Sequence, residues 1–116
     1  MTIARIYTDT EGGSHFEEVP IIMEDKSGLG YFSKSMTNLK SMRFQKVFSH
    51  GEWDFHAAGG KSYVVLLEGI LEIEVSDGES HRFGVGDVIL FDDVSGKGHK
   101  TKTLENSACG MVISLD

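Results

Sequence analysis

Five histidines, His15, His50, His56, His81 and His99, are the side chains here best suited to acid–base work or metal binding. His50 and His56 bracket Gly51-Glu52-Trp53-Asp54-Phe55, which reads as a strand-ending turn. If residues 54–58 are extended, the two-residue period puts Asp54, His56 and Ala58 on one face. A carboxylate beside an imidazole can hold a divalent metal when a third ligand arrives from elsewhere in the fold. His99, on the loop Gly96-Lys97-Gly98-His99, is the natural third. Asp54, His56 and His99 are therefore the candidate metal ligands, for iron, manganese, nickel or zinc. His81 follows the Asp77-Gly78 turn beside Arg82 and reads as solvated, whereas His15 stands at a turn-to-strand junction with no partner evident.

Other reactive residues have weaker claims. The run Ser95-Gly96-Lys97-Gly98-His99-Lys100-Thr101 has the residue types of a phosphate loop, but such a loop must lead from a strand into a helix. Strands flank this one, so it reads as a flexible hairpin loop. Cys109 has no nearby His and reads as a small hydrophobe. A single Cys excludes an intramolecular disulfide and a Cys-cluster zinc site. Glu17-Glu18 and Asp92-Asp93 read as exposed turn or edge residues, with Asp92 alternatively placed to hydrogen-bond His99 and set its tautomer.

The elements that must position these residues are strands. Fourteen Gly against one Pro among 116 residues imply many tight turns, and no window keeps an apolar repeat of helical period. From Ser62 to Leu67 the chain is apolar on both faces, as for a strand between packed layers. Leu71, Ile73 and Val75 then alternate with Glu72 and Glu74, and Glu68-Gly69 and Ser76-Asp77-Gly78-Glu79 read as hairpin turns. Further strands are expected at Ile3–Tyr7, Phe16–Ile22, Ser41–Phe48, Ser80–Phe83, Val88–Phe91, Lys100–Leu104 and Gly110–Leu115. Short strands at about ten-residue spacing predict an all-β sandwich or barrel. Glu24 to Lys40 reads as a long polar surface connection with one helical turn. The whole of 1–116 is expected to be a single domain.

Charge narrows the partners. With 11 Lys and Arg against 18 Asp and Glu, the net charge is −7, and five protonated His would still leave it negative. Such a chain has no electrostatic reason to seek nucleic acid or an anionic membrane. The N-terminal residues lack a signal-type apolar run, and the longest apolar stretch, Tyr63 to Leu67, is far too short to span a bilayer. A cytoplasmic protein is expected.

The stretch from Gly51 to Thr101 resembles the cupin superfamily, small β-barrels of jelly-roll type. Counting back from Gly69 in the first cupin motif, Ser62 falls in the Glu slot, Ala58 in the second His slot and His56 in the first. In the second motif Gly86 keeps its spacing, Asp92 and Val94 take the Pro and Gly slots, and His99 arrives two residues late. The likeness is strongest to small single-domain cupins with a Gly-Lys-Gly-His segment in this loop. It implies a cupin-type jelly-roll β-barrel, its motif-bearing core at about 41–115. Of the three His and one Glu of a typical cupin metal site, only His56 and His99 carry over. Asp54, His50 or water would have to complete the sphere.

The resemblance also assigns faces. With Ser62 inside the barrel, Val64 and Leu66 point inward and Tyr63, Val65 and Leu67 outward. An outward apolar row marks an interface, so a homodimer is expected. Two functions follow. The first is a small-molecule-binding cupin, with His56, Ser62 and His99 lining a barrel mouth over Val64 and Leu66. The second is a metal-dependent oxygenase, isomerase or lyase acting on a small polar metabolite through Asp54, His56 and His99.

Overall fold

The computed structural model describes residues 1–48 and 53–116. Twelve strands run through them: β1 (Thr2–Thr8), β2 (Ser14–Pro20), β3 (Asp25–Ser27), β4 (Gly30–Phe32), β5 (Leu39–Phe48) and β6 (Trp53–His56), then β7 (Ser62–Glu68), β8 (Leu71–Val75), β9 (Ser80–Phe83), β10 (Val88–Asp92), β11 (His99–Thr103) and β12 (Ser107–Leu115). No helix occurs among the described residues. The strands build a six-stranded sheet in the order β2-β1-β10-β7-β12-β5 and a four-stranded sheet in the order β6-β11-β8-β9. Neighbours are antiparallel except β1 and β10, which are parallel and so joined through distant chain. The sheets share no hydrogen-bonded strand, so among the described residues the fold is a two-layer sandwich rather than a closed barrel.

Alternation decides what faces the core. In β8, Leu71, Ile73 and Val75 are buried, while Glu72 between them meets Arg82 and Lys102 on the outer face. From the larger sheet come Ile6, Val64, Leu66, Ile89, Phe91 and Ala108, which pack with Leu71, Ile73, Val75 and Phe83 of the smaller one. Burial of these aliphatic side chains is the main favourable term, at roughly 1.5–3 kcal/mol for each large one. Val64 and Leu66 point inward as the resemblance implies, and Leu67 points out.

The segment from Glu24 to Lys40 departs from expectation. It holds no helical turn; β3 and β4 form a separate two-stranded hairpin with Lys26 opposite Tyr31, turning at Ser27-Gly28-Leu29-Gly30. Two glycines in a four-residue turn favour that reversal over a helix. His15 is also placed where local sequence gave no hint. Its Nε2 lies 2.5 Å from Asp9 and its Nδ1 lies 2.8 Å from Asp77, so one imidazole clamps the β1–β2 turn to the β8–β9 turn. His81 is exposed, as expected, and one face of its ring stacks on Phe16 with centroids 4.1 Å apart.

The clamp makes stability depend on pH. Hydrogen bonds to Asp9 and then Asp77 raise the His15 pKa above 6.5. The Asp9 carboxyl is held below its ordinary value first by His15 and then by the N–H groups of Gly13 and Glu11, and Asp77 is lowered first by the Glu79 N–H. A raised imidazole pKa contributes stability that is full below 6.5 and is lost as pH rises through the folded value. The lowered carboxyls contribute above 3.8 and lose that contribution as pH falls through their folded values. The difference in Tm between wild type and His15→Ala should therefore be widest between about pH 4 and 6.5 and shrink on the alkaline side. A difference that is flat from pH 4 to 9 in thermal melts would remove the clamp.

Candidate functional site

β5 is an edge strand of the large sheet and its inner face is polar. Val47 packs on the core, and strand alternation puts Gln45, Arg43 and Ser41 on the same side. The register sets Ser41 opposite Ser114, and Ser114 opposite Ser62, so three hydroxyls cross β5, β12 and β7 in one row. Arg43 lies opposite Val112, which in turn lies opposite Val64. From the smaller sheet, His99, Thr101 and Thr103 share the face of the buried Val75, Ile73 and Leu71 that they pair with. The space between these two surfaces is a cleft of about 480 Å³, lined by both His56 and His99. Val64, Leu71, Phe91 and Val112 provide its apolar floor.

His56 and His99 come together because β6 and β11 are paired at these residues. Their ring centroids are 5.0 Å apart, and Phe91 lies 4.7 Å from His99. His99 is 6% exposed, and its Nδ1–H donates to the carboxylate of Asp93 over 2.6 Å. That leaves Nε2 as its other ring nitrogen, with the ring on the cleft wall. His56 donates from Nδ1 to the Asp54 carbonyl oxygen at 3.0 Å.

Asp93, not Asp92, is the tautomer-setting carboxylate. Strand β10 alternates, so Asp92 points outward, where Arg5 donates to it from Nε at 3.1 Å and from Nη2 at 2.7 Å. Past the strand end the chain turns Asp93 inward, to 0% exposure, and its carbonyl accepts the Ala58 N–H. The expectation of an exposed acidic pair therefore fails at Asp93. A buried carboxylate must be paired to be tolerated, and the imidazole is its partner.

The loop before His99 is held by its glycines and by backbone contacts. Gly98 has a φ of +72°, and a Cβ there would collide with the His56 carbonyl. Its own carbonyl accepts a hydrogen bond from the buried Ser14 hydroxyl at 2.6 Å. Lys97 donates its N–H to the Gly12 carbonyl at 2.9 Å. These contacts seat β11 against β6 and fix the position of His99.

Of the expected site residues, His56, Ser62 and His99 meet in the cleft. Asp54 does not line it, and its Oδ1 accepts the Phe55 N–H at 2.8 Å. Among the described residues no three His, Cys, Asp or Glu side chains come together in a metal-holding group. His50 lies outside the described residues. Arg43, Gln45, Ser41 and Ser114 were not singled out from sequence, though the alternation of polar residues with Met42, Phe44 and Val47 in β5 was the available signal. Cys109 has its thiol pKa pushed up by desolvation and then by Glu68, which keeps it protonated rather than nucleophilic.

No family model matches the chain, and no curated protein does. Among solved structures it is similar to protein NMB1881 from Neisseria meningitidis, with a TM-score of 0.52 and 18% identity over 67% of this chain and 80% of that one. It is also similar to an HTH_3 family transcriptional regulator from Vibrio cholerae, with a TM-score of 0.47 and 23% identity. That match covers 69% of this chain and 44% of the regulator. A putative ethanolamine utilization protein from Salmonella typhimurium aligns over 99% of this chain and 95% of its own, with a TM-score of 0.42 and 12% identity. The likeness to NMB1881 shows a shared β fold.

Removing the buried carboxylate tests the role of the pair. Asp93→Ala should lower stability in urea by about 2 kcal/mol, because the His99 N–H then lacks its acceptor. Asp93→Asn, which keeps an acceptor oxygen, should lose less. An Asp93→Ala midpoint equal to wild type would remove the pair from the architecture.

Proposed function

We propose that this chain is a cupin-type jelly-roll domain that binds a small molecule in the cleft around His56, Ser62 and His99. The observation that carries the reading is the convergence of polar groups over an apolar floor, with His99 held in place by a buried carboxylate. A cleft of this size and lining is what a small-ligand site needs. The resemblance of residues 51–101 to the cupin motifs supports the family, and the two-layer β fold agrees with it.

A metal-dependent enzyme is the second reading, favoured by the Asp93–His99 hydrogen bond, since a carboxylate behind an imidazole is how metal-bound His residues are oriented. Among the described residues the donor set falls short of it. His56 and His99 would be two ligands of a sphere that takes three or more protein groups, and Asp54 is turned to the Phe55 N–H. Ligand binding therefore leads.

One preparation separates the readings. Protein purified without a His tag or chelator should stay folded with little transition metal by elemental analysis. It should be stabilised by members of a metabolite panel in thermal-shift assays. In the His56→Ala, His99→Ala double variant those shifts should fall by at least half. Near-stoichiometric metal that the double variant loses would favour the enzyme. Ligand shifts unchanged in the double variant would sink the cleft as the site.

We further propose a homodimer formed through the outer face of the large sheet. Tyr63, Val65 and Leu67 of β7 continue there into Met111 and Ile113 of β12 and Met42 and Phe44 of β5. Phe44 is 68% exposed, Met42 55% and Leu67 43%, a contiguous apolar surface of the kind that marks interfaces. Sedimentation velocity at micromolar concentration should give twice the 12.8 kDa mass, and Phe44→Glu should shift it toward monomer. A single monomer boundary for wild type would end this proposal.

A further inference from the structure

The charge on the cleft wall runs against the charge of the chain. Acidic residues outnumber basic ones 18 to 11, yet among the described residues Lys40, Arg43, Lys61 and Lys102 line the cleft and no Asp or Glu does. Two of the four cations are already paired. The Lys61 ammonium lies 3.7 Å from Asp92, and that of Lys102 lies 3.3 Å from Glu72. Arg43 and Lys40 make no ion pair with any described residue.

Arg43 is the informative one. It is exposed on the edge strand and lines the open side of the cleft, flanked on the same side by Ser41 and Gln45 and set across from Val112. A guanidinium offers a planar fork of donors that matches the two oxygens of a carboxylate or phosphate. The serine row of Ser41, Ser114 and Ser62 adds hydroxyl donors nearby. On the facing sheet, the Thr103 hydroxyl is buried without a hydrogen-bond partner among the described residues, and Thr103 also lines the cleft. A buried hydroxyl in that state is stabilised by a ligand oxygen.

We infer that the cleft takes a small organic anion, a carboxylate or phosphate ester, whose charged end sits at Arg43 and whose carbon skeleton rests on the floor formed by Val64, Phe91 and Val112. This deepens the ligand-binding reading and rests on it. Lys40 adds attraction for the anion at the cleft mouth, while the charges of Lys61 and Lys102 are offset by Asp92 and Glu72. The hydroxyls and Gln45 complete its hydrogen bonds.

The test is a thermal-shift panel in matched sets on the full chain. Butyrate, benzoate, citrate, phenyl phosphate and inorganic phosphate are the anions; butyramide and benzamide are neutral counterparts; butylamine and benzylamine are cationic ones. Stabilisation should be confined to anions, and calorimetry on the best of them should show affinity falling about tenfold in Arg43→Ala. Arg43→Lys should recover part of the loss, and Lys46→Ala, on the opposite face of β5, should bind like wild type. Carboxylates binding better than phosphates, or the reverse, distinguishes the two anion types. Stabilisation by neutral or cationic members, or an Arg43→Ala variant that binds the anion as wild type does, would overturn the anion inference while leaving a small-molecule site. A panel with no binder of any charge would count against the small-molecule reading itself and take this inference with it.

Discussion

The hydrogen bond between Asp93 and His99 is the constraint on which the architecture of the cleft depends. It is 2.6 Å long and lies between a side chain that is fully buried and one that nearly is. Asp93 follows the last residue of a strand in the large sheet, and His99 begins a strand in the small one. The bond therefore fixes the connection between layers at the point where the sandwich opens. A buried carboxyl needs a hydrogen-bond partner, and the imidazole N–H supplies it. Backbone groups reinforce the same junction, since Ala58 donates to the Asp93 carbonyl and Ser14 donates to that of Gly98. Remove the pair and the His99 ring loses the side-chain bond that orients it, while the backbone bonds and the pairing of β11 with β8 still hold the strand.

Much of the fold was legible because burial in a sheet writes a two-residue period into the chain. Leu71, Ile73 and Val75 alternate with two glutamates, and the structure buries the first set and turns Glu72 of the second toward Arg82 and Lys102. The continuous apolar run of β7 was less readable, since it suggested burial on both faces whereas only Val64 and Leu66 are buried and Leu67 is exposed. The polar span from Glu24 to Lys40 carries no such period, and its short hairpin rests on glycine turns and local pairing alone. Closure was not legible either, since strand patterns look the same in a sandwich and in a barrel.

Of the residues singled out from sequence, His56, Ser62 and His99 line one cleft. Asp54 does not, because a shared face on a short strand says nothing of where a carboxylate finds its nearest donor, here the next residue's N–H. The substitution of Asp93 for Asp92 behind His99 turns on one residue of strand phase, since Ile89, Phe91 and Asp93 share the inner side and Asp92 the outer. His15 shows the other limit. Its two carboxylates come from turns 6 and 62 residues away in sequence, and only the packing of the layers joins them.

The sandwich divides into a dry end and a wet end, and the division follows from strand composition. Where β1, β10 and β7 face β8 and β9, inner positions are Ile6, Ile89, Leu66, Ile73 and Phe83, and side chains fill the space. Toward β5, β6 and β11 the inner positions become Ser41, Arg43, Gln45, Thr101 and Thr103, and the layers enclose a cleft. The β5 residues among them are exposed and bury little apolar surface, so this end adds less to folding than an apolar one of the same size. The fold tolerates that because Val47, Ala108 and Val112 still carry β5 and β12 against the core, while Gly98 lets β11 approach β6 closely. A local sacrifice of burial, confined to one end and bounded by a rigid core and a buried carboxylate–imidazole pair, is the usual physical mark of a surface shaped for binding.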